Sequence, residues 1–487
     1  MVDQEKIHNQ CLSDDPKERI HALKELNVFF SSIPDKQKAW NDLQRLTNNE
    51  DSDVRYRTAE ALDSAFSQVP DKQQAWDDLH RLTNDKYSSV RSSAAEALGS
   101  AFSQVPDKQQ VWNDLHRLTN DKYSSVRSSA AEALGSAFSQ VPDKQQAWND
   151  LHRLTNDQEC YVRSSAAEAL GSAFSQVPDK QQAWNDLHRL TNDKDGSVRY
   201  RAAYAFVSAF SQVPDKQQAW NDLLKLTNDE DYYKVRSIAL EALESAFSQL
   251  PDKQQAWKDL QKLTNDKDSD VRSSAAKALG SVFTQLPDKQ QAWNDLHRLT
   301  NDQEWYVRRN ATYALVSAFS QLPDKQQVWN DLHRLTNCPD SDVRSSAAKV
   351  LGSVFSQLPD KQQAWNDLHR LTNDQECYVR SSAAEALGSA FSQVPDKQQA
   401  WNDLHRLTND KDGSVRYRAA YAFVSAFSQV PDKQQAWNDL LKLTNDENYK
   451  VKSSALEALD SAFSQLPDKQ QAWNDLLKLT NDEDYKV

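Results

Sequence analysis

The chain has 487 residues, a formal net charge of −13 and 26% charged residues. No apolar run approaches the roughly 18 residues that would mark a membrane-spanning helix, so no membrane association is expected. The acidic balance also disfavours nucleic acid as a partner, because phosphate binding ordinarily needs a basic surface.

The first residues, "MVDQEKIHNQ", lack the basic and then apolar regions of a secretory leader. Four dispersed cysteines (Cys11, Cys160, Cys338, Cys377) form no CxxC pair, and Cys160 and Cys377 occupy one position in two copies of the same segment. Neither disulfide nor metal chemistry is expected, and a reducing cytoplasm is the plain reading. Next comes "KERIHALKELNVFFSSI", with Leu23, Leu26, Phe29, Phe30 and Ile33 at core spacing. It predicts a helix that closes one end of an array, so residues 1–33 read as an N-terminal capping segment.

From residue 34 onward the chain repeats itself. Thirteen tryptophans, from Trp40 to Trp473, recur every 36 residues except for one interval of 37 between Trp220 and Trp257. A fixed period of this size means a stacked array rather than separate globules. One copy, Pro106 to Val141, holds two helical patterns. In the first, Val111, Trp112, Leu115 and Leu118 make one apolar stripe, with Pro106 and Asp107 suited to the first turn. In the second, Val126, Ala130, Ala131, Leu134, Ala137, Phe138 and Val141 make a broader stripe. The polar "NDKYSS" between them predicts a turn whose serines cap the second helix.

Neither helix buries enough surface alone, so neighbouring pairs must stack around a shared core. Twelve complete repeats are read over residues 34–466, and 467–487 read as an incomplete terminal repeat. The abrupt stop predicts an uncovered apolar face, as in a fragment or a docking site.

The string "L-x-x-L-x-x-D-x-x-x-x-x-R" followed by "AA-x-AL" resembles a HEAT repeat, of the HEAT-like kind also found in phycobilisome lyase subunits and prokaryotic scaffolds. The resemblance covers nearly the whole chain. It implies an all-α, right-handed α–α superhelix of about twelve two-helix repeats of 36 residues, with the second helices lining the concave side. It also implies an aspartate–arginine ladder between repeats. The matching positions include Asp85 and Arg91, Asp121 and Arg127, Asp157 and Arg163, Asp193 and Arg199, Asp302 and Arg308, and Asp410 and Arg416. The pattern breaks at Asn49, Cys338 and Lys452, where the ladder should weaken.

No nucleophile elbow, phosphate loop, dinucleotide fingerprint or zinc-protease motif occurs. No enzymatic activity and no cofactor are expected. Eight "LHRL" histidines (His80 to His405) read as a solvated row, since repeats about 10 Å apart cannot converge them on a metal. The tryptophans read as packing, and the six glycines inside second helices, such as Gly99 and Gly135, read as points of close helix approach.

Variation between repeats falls in the turn and at positions one, two, five and eight after the second-helix arginine. The first, third and fourth of these share a helix face. Most repeats carry serine, glutamate or lysine, and glycine there. The fifth has Tyr200, Arg201, Tyr204 and Val207; the eighth has Arg309, Asn310, Tyr313 and Val316; the eleventh has Tyr417, Arg418, Tyr421 and Val424. Tyrosine and arginine dominate binding energy at protein interfaces. The expectation is a scaffold or recognition module that binds an extended protein or peptide along its concave surface. The HEAT resemblance admits three other readings: a glycosylase-like DNA binder, a bilin-lyase-type accessory protein, and the sensor array of a larger signalling protein.

Overall fold

A computed structural model describes residues 2–105, 107–230, 232–321, 325–466 and 468–480. Pro106, Pro323 and Pro467, read as repeat starts, lie outside the described residues, as do residues 481–487 of the terminal repeat. Among the described residues every element is helical. First helices of 11 residues alternate with second helices of 14–17 residues through all twelve repeats.

Local chemistry explains the boundaries. Asp35, Asp71, Asp143 and Asp179 are the N-caps of their first helices, each accepting the backbone N–H three residues on. Pro34, Pro70 and Pro142 therefore stand just outside the helix, not in its first turn as expected. The short carboxylate side chain takes the cap, and the proline stiffens the entry before it. The expected serine caps of the second helices are also absent in repeats 2 and 3, where the N-caps are Tyr87 and Tyr123 without a side-chain bond. There the turn is held by its aspartate, as when Asp121 Oδ1 accepts the Tyr123 N–H at 2.9 Å. Repeats 1, 5, 7, 9 and 11 cap the second helix with Asp51, Asp195, Asp268, Asp340 and Asp412.

The apolar stripes meet as the periodicity requires. In repeat 4 the first helix (Lys144–Leu154) buries Ala147, Trp148, Leu151 and Leu154. The second (Cys160–Ala173) buries Val162, Ala166, Ala167, Leu170 and Ala173, and Phe174 and Val177 follow into the same core. Each large side chain contributes about 1.5–3 kcal/mol by leaving water.

The helices form two compact blocks, Met1–Pro251 and Asp252–Val487. Within each block consecutive second helices pack on one another far more extensively than consecutive first helices do. Glycine is the cause. A Cβ built on Gly99, Gly135, Gly171, Gly280, Gly352 or Gly388 would stand only 2.6–2.8 Å from an alanine of the next second helix. Where the same slot holds aspartate or valine (Asp63, Val207, Val316, Val424), the second helix meets its successor less extensively.

Two polar ladders stitch neighbouring repeats. In the first, Arg91 grips the Asp121 carboxylate of the next repeat through Nε at 2.8 Å and Nη2 at 2.9 Å. Its Nη1 donates to the backbone carbonyl of Asp85 in its own repeat at 2.7 Å. The arginine thus pairs with the following repeat's aspartate, not with the carboxylate six residues before it. Arg55–Asp85, Arg127–Asp157, Arg163–Asp193, Arg272–Asp302, Arg344–Asp374 and Arg380–Asp410 repeat this fork with Nε–Oδ2 distances of 2.7 Å. Arg199–Asp229 and Arg416–Asp446 do the same. At Cys338 and Asn49 the carboxylate is missing, and the buried Nε of Arg308 and of Arg19 has no hydrogen-bond partner. For the break at Lys452, the position 30 residues on lies outside the described residues.

The second ladder corrects the reading of the histidines. His80, His116, His152 and His188 each bond a buried aspartate of the next repeat through Nδ1, at 2.5–2.6 Å. His297, His333, His369 and His405 do likewise. Each ring also lies against its own repeat's tryptophan, as in Trp112–His116 at 5.7 Å between centroids. Seven of them are half-buried and His297 is exposed, but all eight are rungs of a ladder rather than a free solvated row. The adjacent arginine reaches the other way, as when Arg117 donates to Thr83 Oγ1 at 2.7 Å.

Residues 1–33 contain a helix pair, Gln4–Leu12 and Pro16–Phe29. The first of these holds the following repeat through His8 Nδ1 and Asp42 at 2.7 Å. Leu23, Leu26, Phe30 and Ile33 are buried as expected, but Phe29 is 44% exposed. Its slot holds buried alanine in repeats 1 and 2 (Ala65, Ala101), too small a space for a ring.

Candidate partner-binding face

Consecutive second helices pack far more closely than consecutive first helices, which makes the second helices the inner row of each block. The variable positions one, five and eight after the arginine lie on the open side of that row. Tyr204, Tyr313 and Tyr421 are 46%, 42% and 43% exposed. Val207 and Val316 are exposed too, and Val424 is half-buried. These side chains are outside the core, as their spacing requires.

Their neighbours differ from repeat to repeat. Tyr200 is half-buried and meets the edge of Tyr232 with centroids 6.5 Å apart. Arg201 bridges to Glu168 of the preceding repeat at 2.9 Å, and its guanidinium lies 5.7 Å from the Tyr200 ring. Arg418 does the same with Glu385 at 3.5 Å and the Tyr417 ring at 5.2 Å. Arg309 lies over Trp305 at 5.3 Å. The arginines therefore order the inner face as well as charge it. Repeat 1 also carries tyrosine and arginine at positions one and two, but there Tyr56 and Arg57 both bond Glu60 of the same helix, at 2.8 and 2.6 Å.

The valines have a second consequence. Val207, Val316 and Val424 fill the slot that is glycine in the tightly packed repeats, so each customised repeat stands off from its successor. The aromatic side chain and the widened spacing occur together.

One pocket lies at the N-terminal helix pair, against Phe29, and three others touch these repeats. One of about 350 Å³ is lined by Lys277, Gly280, Asn310 and Tyr313. Another of about 310 Å³ lies among Glu132, Gly135, Glu168 and Arg201. A third of about 460 Å³ is bounded by Lys349, Tyr378, Tyr417, Arg418 and Lys450. Repeats 8, 5 and 11 each line one. Lys349, Tyr378 and Lys450 were not singled out from sequence; the only signal for them was that lysine replaces glutamate at position five in repeats 7 and 9.

The inner row of the first repeats is acidic. Burial, with help from the charges of Glu132, Asp63 and Glu60, pushes the Glu96 carboxyl above the usual range. Burial alone does so for Asp63, against a bond from Ser100. Among the described residues no group of three or more potential metal ligands converges, and no helix is long and apolar enough to cross a membrane.

No curated protein matches the chain in sequence. Among solved structures, yeast importin-β (Kap95p) superposes with a TM-score of 0.70 at 14% identity, covering 99% of this chain and 70% of that one. Kap95p in its complex with Nup1 gives 0.71 at 15% identity, covering 98% and 69%. Kap121p bound to Ste12p gives 0.57 at 16% identity, covering 99% of this chain but only 56% of that one. Identities this low establish the fold alone, an all-α HEAT-like superhelix. The family of HEAT repeats matches residues 5–99, 149–244, 223–316, 258–352, 294–388, 330–424 and 367–460. With most of its length so matched, the chain belongs to the HEAT-repeat family.

Proposed function

We propose that the chain is a protein-interaction scaffold whose inner face holds an extended protein partner, with Tyr204, Tyr313 and Tyr421 as anchors. The observation that carries this reading is the exposure of the three tyrosines on the inner row, with Tyr313 lining one cleft and the neighbouring Arg201 and Arg418 lining two others. A half-exposed tyrosine on an inner helix face is the kind of group that concentrates binding energy. Within the second block, Tyr313 and Tyr421 are three repeats apart, about 30 Å at about 10 Å per repeat. An extended peptide spans that distance with about nine residues. The solved complexes of Kap95p with Nup1 and of Kap121p with Ste12p show that the fold takes protein partners, which is consistent with the reading. The acidic inner row of repeats 1–4 weighs against a nucleic-acid ligand.

The test is affinity capture with the intact chain, followed by the same capture with Tyr204, Tyr313 and Tyr421 replaced by alanine. Each anchor is worth about 2 kcal/mol, or about thirtyfold. Recovery of the captured protein should fall at least tenfold while thermal stability holds. Unchanged recovery would contradict the assignment of the anchors.

A further inference from the structure

Residues 146–230 recur almost unchanged at 363–447, so the second helices of repeats 4 and 5 in the first block are copied in repeats 10 and 11 of the second. Around the pocket of repeats 9–12, Tyr378, Ser381, Ser382, Glu385, Gly413, Ser414, Tyr417 and Arg418 match Tyr161, Ser164, Ser165, Glu168, Gly196, Ser197, Tyr200 and Arg201. Two positions break the copy. Lys349 stands where the first block has Glu132, which reverses the charge. Asn448, the N-cap of its helix, stands where the first block has Tyr232.

The second change opens the site. In the first block the Tyr232 side chain crowds Gly196, at 2.7 Å from where a Cβ would be, and its ring abuts Tyr200. In the second block the small Asn448 amide occupies that place beside Gly413. Its Oδ1 accepts the Lys450 N–H at 3.0 Å, which leaves its Nδ2 as a donor on the Gly413 side. The result is a cavity of about 460 Å³ bounded by three cationic side chains, Lys349, Arg418 and Lys450. Only one carboxylate lines it, Glu385, which bridges to Arg418 at 3.5 Å. The nearby Asp412 keeps its charge while capping Ser414, but it does not line the cavity.

We infer that this pocket in the second block binds a phosphoryl group carried on a side chain of the extended partner. Among the lining side chains three cations against one carboxylate leave an excess of two positive charges, a match in size for the −1.5 to −2 of a phosphorylated serine or threonine at neutral pH. A carboxylate of the partner would neutralise only half of it. Arginine and lysine together with an amide donor supply what a tetrahedral dianion accepts. The first block, with Glu132 in place of Lys349 and Tyr232 over the cleft, does not bind the group. The inference rests on the scaffold reading for the source of the phosphoryl, a peptide.

The test uses the full chain and two degenerate peptide libraries, identical except for a central phosphoserine or serine. The phosphorylated library should be retained at least tenfold more strongly, and Lys349→Glu or Lys450→Glu should abolish that preference while melting at the same temperature as the parent. Glu132→Lys with Tyr232→Asn should add a second phosphopeptide site. Equal retention of the two libraries would overturn the phosphoryl assignment. If that shared retention still falls in Tyr421→Ala, the scaffold reading stands without it. Titration with inorganic phosphate gives the last arm: binding of the free ion that Lys349→Glu removes, with no preference between libraries, would overturn the peptide as its source.

Discussion

At the scale of single residues, the most informative positions are those where one repeat departs from its copies. Arg308 is the plainest. Nine of its counterparts grip an aspartate of the next repeat, whereas it faces Cys338 with its buried Nε unsatisfied. An unpaired buried donor costs about 1–3 kcal/mol. Cys338→Asp should therefore raise stability by about 1–2 kcal/mol in denaturant melts, and a neutral or destabilising result would show that the fork is not what these arginines contribute. The break itself was legible in the sequence, as was the one at Asn49. The direction of the pairing was not, because a spacing of six residues within a repeat and 30 residues between repeats are equally visible in a periodic chain, and only packing chooses between them. The histidines failed for a related reason. The aspartate 34 residues on, which pairs with each of them, gives no signal in a single repeat. Repeat 7 shows what the slot demands: Gln261 replaces histidine and still donates to Asp295, at 3.0 Å.

At the scale of helices, glycine sets how closely inner helices approach. A methyl group on Gly352 would meet the backbone of Ala386 at 2.6 Å, and backbone cannot swing aside. Overpacking costs about 1–3 kcal/mol, which outweighs the roughly 1 kcal/mol that alanine returns in helix propensity. Gly352→Ala should thus lower stability by about 1 kcal/mol, although an exposed helical glycine would gain from the same change; a rise in melting temperature would refute close packing there. Helix positions and core faces were readable from periodicity alone, since apolar spacing of three and four admits little else. Caps were read less well. Aspartate before the first helix displaced proline from the turn, and the serines before the second helix left capping to aspartates or to none. The valine spacers at Val207, Val316 and Val424 were noticed as variants, yet their effect on spacing depends on the alanine opposite, which no single position reveals.

At the scale of the whole molecule, stability is spread along the stack, and its dependence on acid should report the arginine ladder. Burial by itself would raise the carboxyls of Asp85, Asp121, Asp157, Asp193, Asp302, Asp374 and Asp410, but the arginine forks and turn N–H bonds hold them below the usual range. At Asp446 the arginine bond is the dominant effect. A carboxyl depressed in the folded state stabilises fully above its unfolded value of about 3.9 and loses that contribution as the pH falls toward its folded value. Asp63 and Glu96, pushed upward, act oppositely and relieve strain on protonation just above that window. Melting temperature should hold or rise slightly from pH 7 to about 5 and fall steeply below about 4. Asp157→Asn should lie below the parent at pH 7, with the gap closing under acid; a gap constant down to pH 3 would contradict the linkage.

The central claim is that repeats 5, 8 and 11 present anchors to one elongated partner, each from the inner face of its own block. Placing a photoreactive amino acid at Tyr204, Tyr313 or Tyr421, and at Gln362 on an exposed first-helix surface as the control, tests it most directly. The account predicts that the three inner positions cross-link to the same protein and that Gln362 does not. Adducts from Gln362 alone, or three unrelated adducts from the inner positions, would contradict it.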